Sequence, residues 1–426
     1  MLKKALILFA VASIYLQLYS QDKANLQQIF LEAEYFFMKG EYRDALPLYL
    51  ELFKKLPDNH NIAYRIGACC LNIPGRKDLS IDYLSFAVRN LSAKVVEGTI
   101  NQKPAPYDAL FDLGKAYRIN RMFEKAKEFY NKYLDTLLPD DSENRNFVVN
   151  EIRVCDEAEE LISTPVKFSK QNLGEPVNTS GSEFNSVVSA DGKVLAYMVS
   201  LKFYNAIMVS RLAGNKWSNP VNITQDLEAD GDLFVSGLSS DGNMLFVSKD
   251  NDLESDIYFS RFNGSGWTKI QMFEYPVNTR YWESHGFMTE DGKSLIFASD
   301  RPGGYGGLDL YISFMENGKW NEPVNLGPVI NTRFNEDRPF LINEGKTLFF
   351  SSQGHRNIGG YDIFRADRTN DGKWSDPRNI GYPLNDTDDN IFFMPTGKGE
   401  SGYYSFYRES DDGGNEDICL VTFGEK

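Results

Sequence analysis

Histidine is the side chain most often recruited to move protons near neutral pH. The 426-residue chain holds three: His60, His285 and His355. None stands in an H-E-x-x-H or comparable spacing that would set two rings on one metal. His285 falls in Trp282-Glu283-Ser284-His285 and His355 in Gln353-Gly354-His355-Arg356. A catalytic histidine needs an oriented partner, so both read first as polar loop residues able to line one end of a domain. No G-x-S-x-G elbow supplies a serine nucleophile. Carboxylates are plentiful, but they recur before glycine or at strand starts, the pattern of turn chemistry. Glycoside hydrolysis would need a carboxylate pair at a fixed separation instead. Cys69, Cys70, Cys155 and Cys419 fit no zinc spacing and are expected to be buried thiols. Residues 303–309 and 411–417 have the glycine and aspartate content of cation loops. Backbone turns favour the same residues, and turns are the expectation here. The expected protein is not an enzyme and has no catalytic, cofactor or metal residues.

The elements behind these residues repeat. Asp-Gly turns precede Leu195-Ala196-Tyr197, Leu245-Phe246-Val247-Ser248 and Leu295-Ile296-Phe297, and Glu344-Gly345 precedes Leu348-Phe349-Phe350-Ser351. A polar, often Gly-rich loop follows. A second strand then opens at Asp256-Ile257-Tyr258, Asp309-Leu310-Tyr311, Asp362-Ile363-Phe364 and Asp417-Ile418-Cys419, with Asn205-Ala206-Ile207 departing from the pattern. Trp217, Trp267, Trp320 and Trp374 mark the third element. Pro-x-Asn follows three of them, at Asn222, Asn325 and Asn379. A period of roughly 40–50 residues with several strands per unit is the signature of a β-propeller. Units headed near Glu183, Asp230, Glu283, Glu336 and Asp388 give about five blades. Asn172-Leu173-Gly174 and Asn178-Thr179 match Asn325-Leu326-Gly327 and Asn331-Thr332, a tail without a head. The C-terminal Asp417-Ile418-Cys419-Leu420-Val421 is a head without a tail. An N-terminal strand completing the last blade would close the ring and leave no exposed edge.

Ahead of the propeller the period becomes helical. Leu110, Leu113-Gly114, Tyr117, Ala126, Tyr130 and Pro139 follow the tetratricopeptide pattern, with Leu for Trp and Tyr for Phe. Earlier copies run through Ala33, Phe36, Ala45, Tyr49 and Pro57, and through Ile66-Gly67, Cys70, Ile81 and Leu84. The expected fold is therefore a TPR-like α-solenoid (21–163) followed by a β-propeller (164–426). Solenoids of this kind bury a core only by stacking and offer a concave face to partner segments. Residues 1–20, with Lys3-Lys4 before the apolar run 5–15, read as a secretory signal peptide. No transmembrane segment is expected after its removal. A net charge of −15 argues against nucleic acid, which needs a basic face.

The run Phe297-Ala298-Ser299-Asp300-Arg301-Pro302-Gly303-Gly304-Tyr305-Gly306-Gly307-Leu308-Asp309-Leu310-Tyr311, with Trp320 and Pro323-Val324-Asn325-Leu326-Gly327 behind it, resembles the WD40-like PD40 repeats. Coupled to tetratricopeptide repeats, it is similar to the PorE-like family of the type IX secretion and gliding machinery. That family continues into an OmpA-like peptidoglycan-binding domain. This sequence stops after its last blade, so peptidoglycan anchoring is not carried over. The resemblance implies a non-enzymatic, periplasmic, outer-membrane-associated scaffold that docks envelope proteins, with cell-wall glycan as the alternative ligand and a propeller hydrolase as the least favoured. The expected contacts are the solenoid groove and one propeller end, the latter bearing Trp282, His285, Arg301, Tyr305, His355, Arg356 and Tyr361.

Overall fold

The computed structural model describes residues 24–202, 204–229, 231–250, 254–408 and 415–424. The signal-peptide reading, the blade head at Asp230 and most of the 411–417 loop lie outside these residues. The chain divides into two compact units, 1–155 and 156–426.

The first unit stacks antiparallel helix pairs. Its helices are α1 (24–38), α2 (Tyr42–Lys55), α3 (His60–Asn72), α4 (Ser80–Ala87), α5 (Asp108–Ile119) and α6 (Phe123–Leu134). A longer α7 (Ser142–Ser163) follows, and the division between units falls inside it. Asn59 caps α3 by accepting the Ile62 N–H at 3.0 Å, satisfying one of the open donors of a helix start. Small residues set how closely paired helices approach. A Cβ on Gly67 would lie 2.5 Å from Leu84, and one on Gly114 would lie 2.6 Å from Tyr130. The two tyrosines that replace phenylalanine recruit matching polar partners. Tyr49 Oη donates to Glu34 Oε1 at 2.5 Å, and Arg65 Nη2 donates to Glu34 Oε2 at 3.0 Å. In the later copy Tyr130 Oη donates to Glu151 Oε2 at 3.0 Å, while Arg118 Nε lies 3.2 Å from the same oxygen. A buried phenol must find an acceptor, and a buried carboxylate needs a cation beside it, so each substitution brings its triad. All four cysteines are free and buried. Among the described residues no helix is long and apolar enough to cross a membrane.

The second unit is a five-bladed propeller. Four blades are contiguous, and their innermost strands are Ser182–Val188, Asp232–Leu238, Glu283–Met288 and Glu336–Ile342. The fifth joins Met394–Thr396, Ser401–Tyr407 and Glu416–Phe423 to Phe168–Asn172 from the start of the domain. Phe168 pairs with Phe423 and Asn172 with Cys419, so the ring closes as expected. The fifth blade begins its inner strand later than its expected head near Asp388. Asn390 there holds the place of Glu183, Glu283 and Glu336 in three other blades and donates to the Tyr404 hydroxyl at 3.0 Å. The core fills the space between sheets with strand residues such as Tyr197, Phe340, Phe350 and Phe364, joined by Phe393 just ahead of its strand, each nearly inaccessible. The tryptophans sit on the hairpins between third and outermost strands: Trp217 faces Leu212 and Trp320 faces Met315.

Candidate functional site

Strand register places the long loops together. Glu283 pairs with Ser299, which pairs with Asp309, and Glu336 pairs with Ser352, which pairs with Asp362. The loops joining second to third strands therefore share one end of the propeller with the connections that enter each inner strand. All seven expected contact residues fall at this end.

The sequence motifs found there are fasteners. Asn278 receives the Ile257 N–H at 2.9 Å and donates to the Ile257 carbonyl at 2.8 Å. Asn331 does the same with Leu310, Asn385 with Ile363, and Asn178 with Ile418. Each side chain thus acts as an extra rung on the preceding blade. The asparagine of Pro-x-Asn extends this network: Asn325 Nδ2 donates to Asp309 Oδ2 at 2.7 Å, and its Oδ1 accepts from Asn331 at 2.8 Å. Asp309 also accepts the Tyr305 and Gly306 N–H groups, at 2.7 and 3.1 Å. Its carboxylate is consumed by its own turn, as the turn reading of 303–309 requires. Asp362 repeats the arrangement with Ile358, Gly359 and Asn379. Among the described residues no group of side chains could hold a metal ion.

The carboxylates that open the inner strands are equally committed. Glu283 accepts from the Thr279 N–H and hydroxyl and from Ser299, each at 2.8 Å, and from Arg301 Nη2 at 3.1 Å. Glu336 repeats this with Thr332 and Ser352 at 2.6–2.7 Å. Burial nevertheless pushes the Glu336 carboxyl up to about 7, against the pull of those donors.

His285 is 7% exposed and sits with φ +47° in a bulge of its inner strand. Arg338 holds the same place one blade on, at φ +51°. Bulges bend the strand and re-aim its side chains. The His285 Nδ1 lies 3.0 Å from Asp337 Oδ1, and its Nε2 lies 3.2 Å from Arg338 Nε. Ser284 Oγ donates to the same Asp337 oxygen at 3.1 Å. Burial alone would raise the Asp337 carboxyl, but the His285 ring and the Arg338 guanidinium outweigh it and hold it at about 2. Tyr361 leans towards this cluster; burial, with Asp337 next, raises its phenol well above the ordinary range. Asp337 and Arg338 were not visible as site residues in the sequence. Superposing Glu336-Asp337-Arg338 on Glu283-Ser284-His285 is the signal that finds them.

Arg301 is also turned inward. It donates to the Pro276 and Val277 carbonyls at 3.1 and 2.6 Å, and its guanidinium lies over the Phe297 and Tyr311 rings. His355 Nε2 meets the equivalent Ile330 carbonyl at 2.8 Å, with its ring against Phe350 and Phe364. In the first blade Tyr197 Oη reaches Val177 O at 3.2 Å. Three different side chains thus hold one repeated carbonyl. His285, Arg301 and His355 are therefore framework residues: both ring nitrogens of His285, the guanidinium of Arg301 and Nε2 of His355 are engaged by neighbouring groups. Trp282 is partly exposed, and its backbone N–H donates to Asp300 Oδ1 at 2.8 Å. Arg356 is about half exposed and pairs with Glu160. Tyr305 is 52% exposed, and Tyr275, which the sequence did not single out, is 73% exposed with its hydroxyl on Glu322 at 2.8 Å.

No family model matches the sequence, and no curated protein does. Solved structures resemble it in fold. TolB from Acinetobacter baumannii is 16% identical with TM-score 0.37, covering 67% of this chain and 71% of its own. An α-L-arabinofuranosidase from Lactobacillus brevis is 15% identical with TM-score 0.41, covering 59% and 93%. The PQQ-bound aldose sugar dehydrogenase of Streptomyces coelicolor is 13% identical with TM-score 0.34, covering 61% and 100%. At these identities and scores the likeness carries no functional argument.

Proposed function

We propose that the protein is a non-enzymatic adaptor of the cell envelope, periplasmic and associated with the outer membrane, binding partners through its solenoid groove and the loop end of its propeller. One observation carries this reading. At the loop end the groups able to do acid–base chemistry are tied to the framework, while the rings of Tyr305 and Tyr275 face outward. A histidine whose Nδ1 rests on a carboxylate and whose Nε2 rests on an arginine has no free nitrogen for a nucleophile. Exposed tyrosines supply rigid contact area of the kind that anchors interfaces. The repeat resemblance supports a reading in which those partners are secretion or gliding components.

The same tyrosines favour a second reading, in which their faces stack on cell-wall glycan. Affinity capture from crosslinked envelopes separates the two. Protein partners recovered with the wild-type chain and reduced with Tyr275→Ala and Tyr305→Ala support the adaptor. Retention of polysaccharide alone, with quenching of tyrosine and tryptophan emission, supports the glycan reading and removes the first.

A further inference from the structure

We propose that the loop 300–308 of the third blade docks an acidic helix of a partner protein, which sets one glutamate on the Gly304 backbone N–H and a second on the Arg333 guanidinium. The proposal deepens the adaptor reading and rests on it for the partner's existence. The molecule itself supplies the template. Loops 300–308 and 353–361 join the same two strands of adjacent blades and are equally long. They fold alike. The Tyr305 and Gly306 N–H groups turn onto Asp309 at 2.7 and 3.1 Å, and those of Ile358 and Gly359 turn onto Asp362 at 2.7 and 3.2 Å. Each rests on the connection entering the next blade: a Cβ on Gly306 would lie 2.5 Å from Arg333, and one on Gly359 would strike Asp388.

The two loops differ in what meets them. On the fourth blade it is the last turns of α7, which belong to the second unit. Glu157 Oε2 accepts the Asn357 N–H at 3.3 Å, and Glu160, on the same helix face, pairs with Arg356. Asn357 and Ile358 are both 0% exposed. Their counterparts on the third blade, Gly304 and Tyr305, face solvent. The Gly304 N–H has no hydrogen bond among the described residues. A loop of the same conformation, one blade on, thus already carries a helix carboxylate on the equivalent donor. That contact names the ligand's chemistry independently of the open loop's exposure.

Charge agrees with it. Arg333 is exposed and has no ion pair or hydrogen bond among the described residues. It supplies here the cation that Arg356 supplies on the fourth blade. Arg280, on the connection into the third blade, has the Tyr281 hydroxyl at 2.9 Å and the Tyr281 ring beside it, and no carboxylate among the described residues. The nearby acids are engaged: Asp309 by its own turn, Asp300 by the Trp282 backbone N–H. A carboxylate on a backbone N–H and on a guanidinium makes charge-assisted bonds at both ends.

The test uses the full chain and a fluorescein-labelled, helix-stapled peptide of residues 156–163, followed by anisotropy. The wild type should bind it. Binding should weaken about tenfold when the peptide carries Glu157→Gln and Glu160→Gln, and about tenfold when the chain carries Arg333→Glu, roughly one charge-assisted hydrogen bond in each case. Lys319→Glu, at the far end of the same blade, should bind as wild type. Arg333→Glu should in turn prefer a peptide with lysine at both positions, a gain that misfolding would not give. No binding by the wild type, equal binding of the glutamine peptide, or unchanged binding by Arg333→Glu overturns the proposal. So does binding lost with Arg356→Ala alone, which would seat the peptide on the fourth blade. Envelope partners captured undiminished by Arg333→Glu also overturn it and leave the adaptor standing. If the wild type captures no partner, the adaptor reading fails, while the peptide judges the loop separately.

Discussion

His285 Nδ1 and Asp337 Oδ1 meet at 3.0 Å although 52 positions separate them in sequence. They come from the inner strands of adjacent blades, and both are largely removed from water. The pair, with Arg338, ties blade to blade where the ring's apolar core gives way to polar groups. Breaking a buried pair by removing one partner leaves an uncompensated charge. Asp337→Ala should therefore lower unfolding free energy by roughly 3–5 kcal/mol, read by urea denaturation. Tyr305→Ala, on the exposed rim, should stay within about 0.5 kcal/mol. Equal losses for the two would refute the framework role of Asp337.

Arg301→Ala should cost about 2–3 kcal/mol through lost charge-assisted hydrogen bonds to the Pro276 and Val277 carbonyls. Arg301→Lys should recover little, because the fork and the stacking on Phe297 and Tyr311 belong to a planar guanidinium. A lysine variant as stable as wild type would contradict this. Thermal melts of both variants give the comparison.

Stability should also depend on pH in two opposing ways. Burial raises Glu336 from 4.5 and Asp362 from 3.8, both to about 7, so the folded state holds these protons longer than the unfolded chain. Stability then falls as pH rises from the ordinary carboxyl range to about 7. Asp337 works the other way: held at about 2 against an ordinary 3.8, it contributes above 3.8 and loses that contribution as pH drops towards 2. An optimum on the acid side of neutrality follows, visible in urea midpoints between pH 3 and pH 8. Glu336→Gln should flatten the neutral limb, and an unchanged slope would be the failing result.

Gly114→Ala would gain about 1 kcal/mol of helix propensity in isolation. In place its methyl would press on the Tyr130 ring at 2.6 Å, and overpacking of this kind costs about 1–3 kcal/mol. A net loss of stability is expected, restored in part by Tyr130→Phe only if the hydroxyl's bond to Glu151 is what holds the ring against the new methyl. Differential scanning calorimetry of the single and double variants resolves it.

Deleting Phe168–Asn172 should leave the Glu416–Phe423 strand as an open edge. Such edges template pairing between chains, so the truncated propeller should run as oligomers in size-exclusion chromatography. A monodisperse monomer would show that closure is dispensable.

Repetition made the fold legible in the sequence. Each blade reuses one pattern of turn, apolar strand and fastening asparagine, so Asp309, Asn325 and Asn331 could be aligned before any contact was known. The headless tail at Asn172 and Asn178 likewise announced the closing strand. Helical spacing and small residues at Gly67 and Gly114 did the same for the solenoid. The side chains assigned to the rim were another matter. Exposure of Arg301, His285 and His355 depends on which carbonyl or carboxylate the neighbouring blade presents, and those lie 24, 52 and 25 positions away. Local pattern fixes where a strand begins, because turn geometry and alternation act over a few residues. Only the closed ring decided which polar groups were already satisfied and which, like Tyr275 and Tyr305, were left facing water.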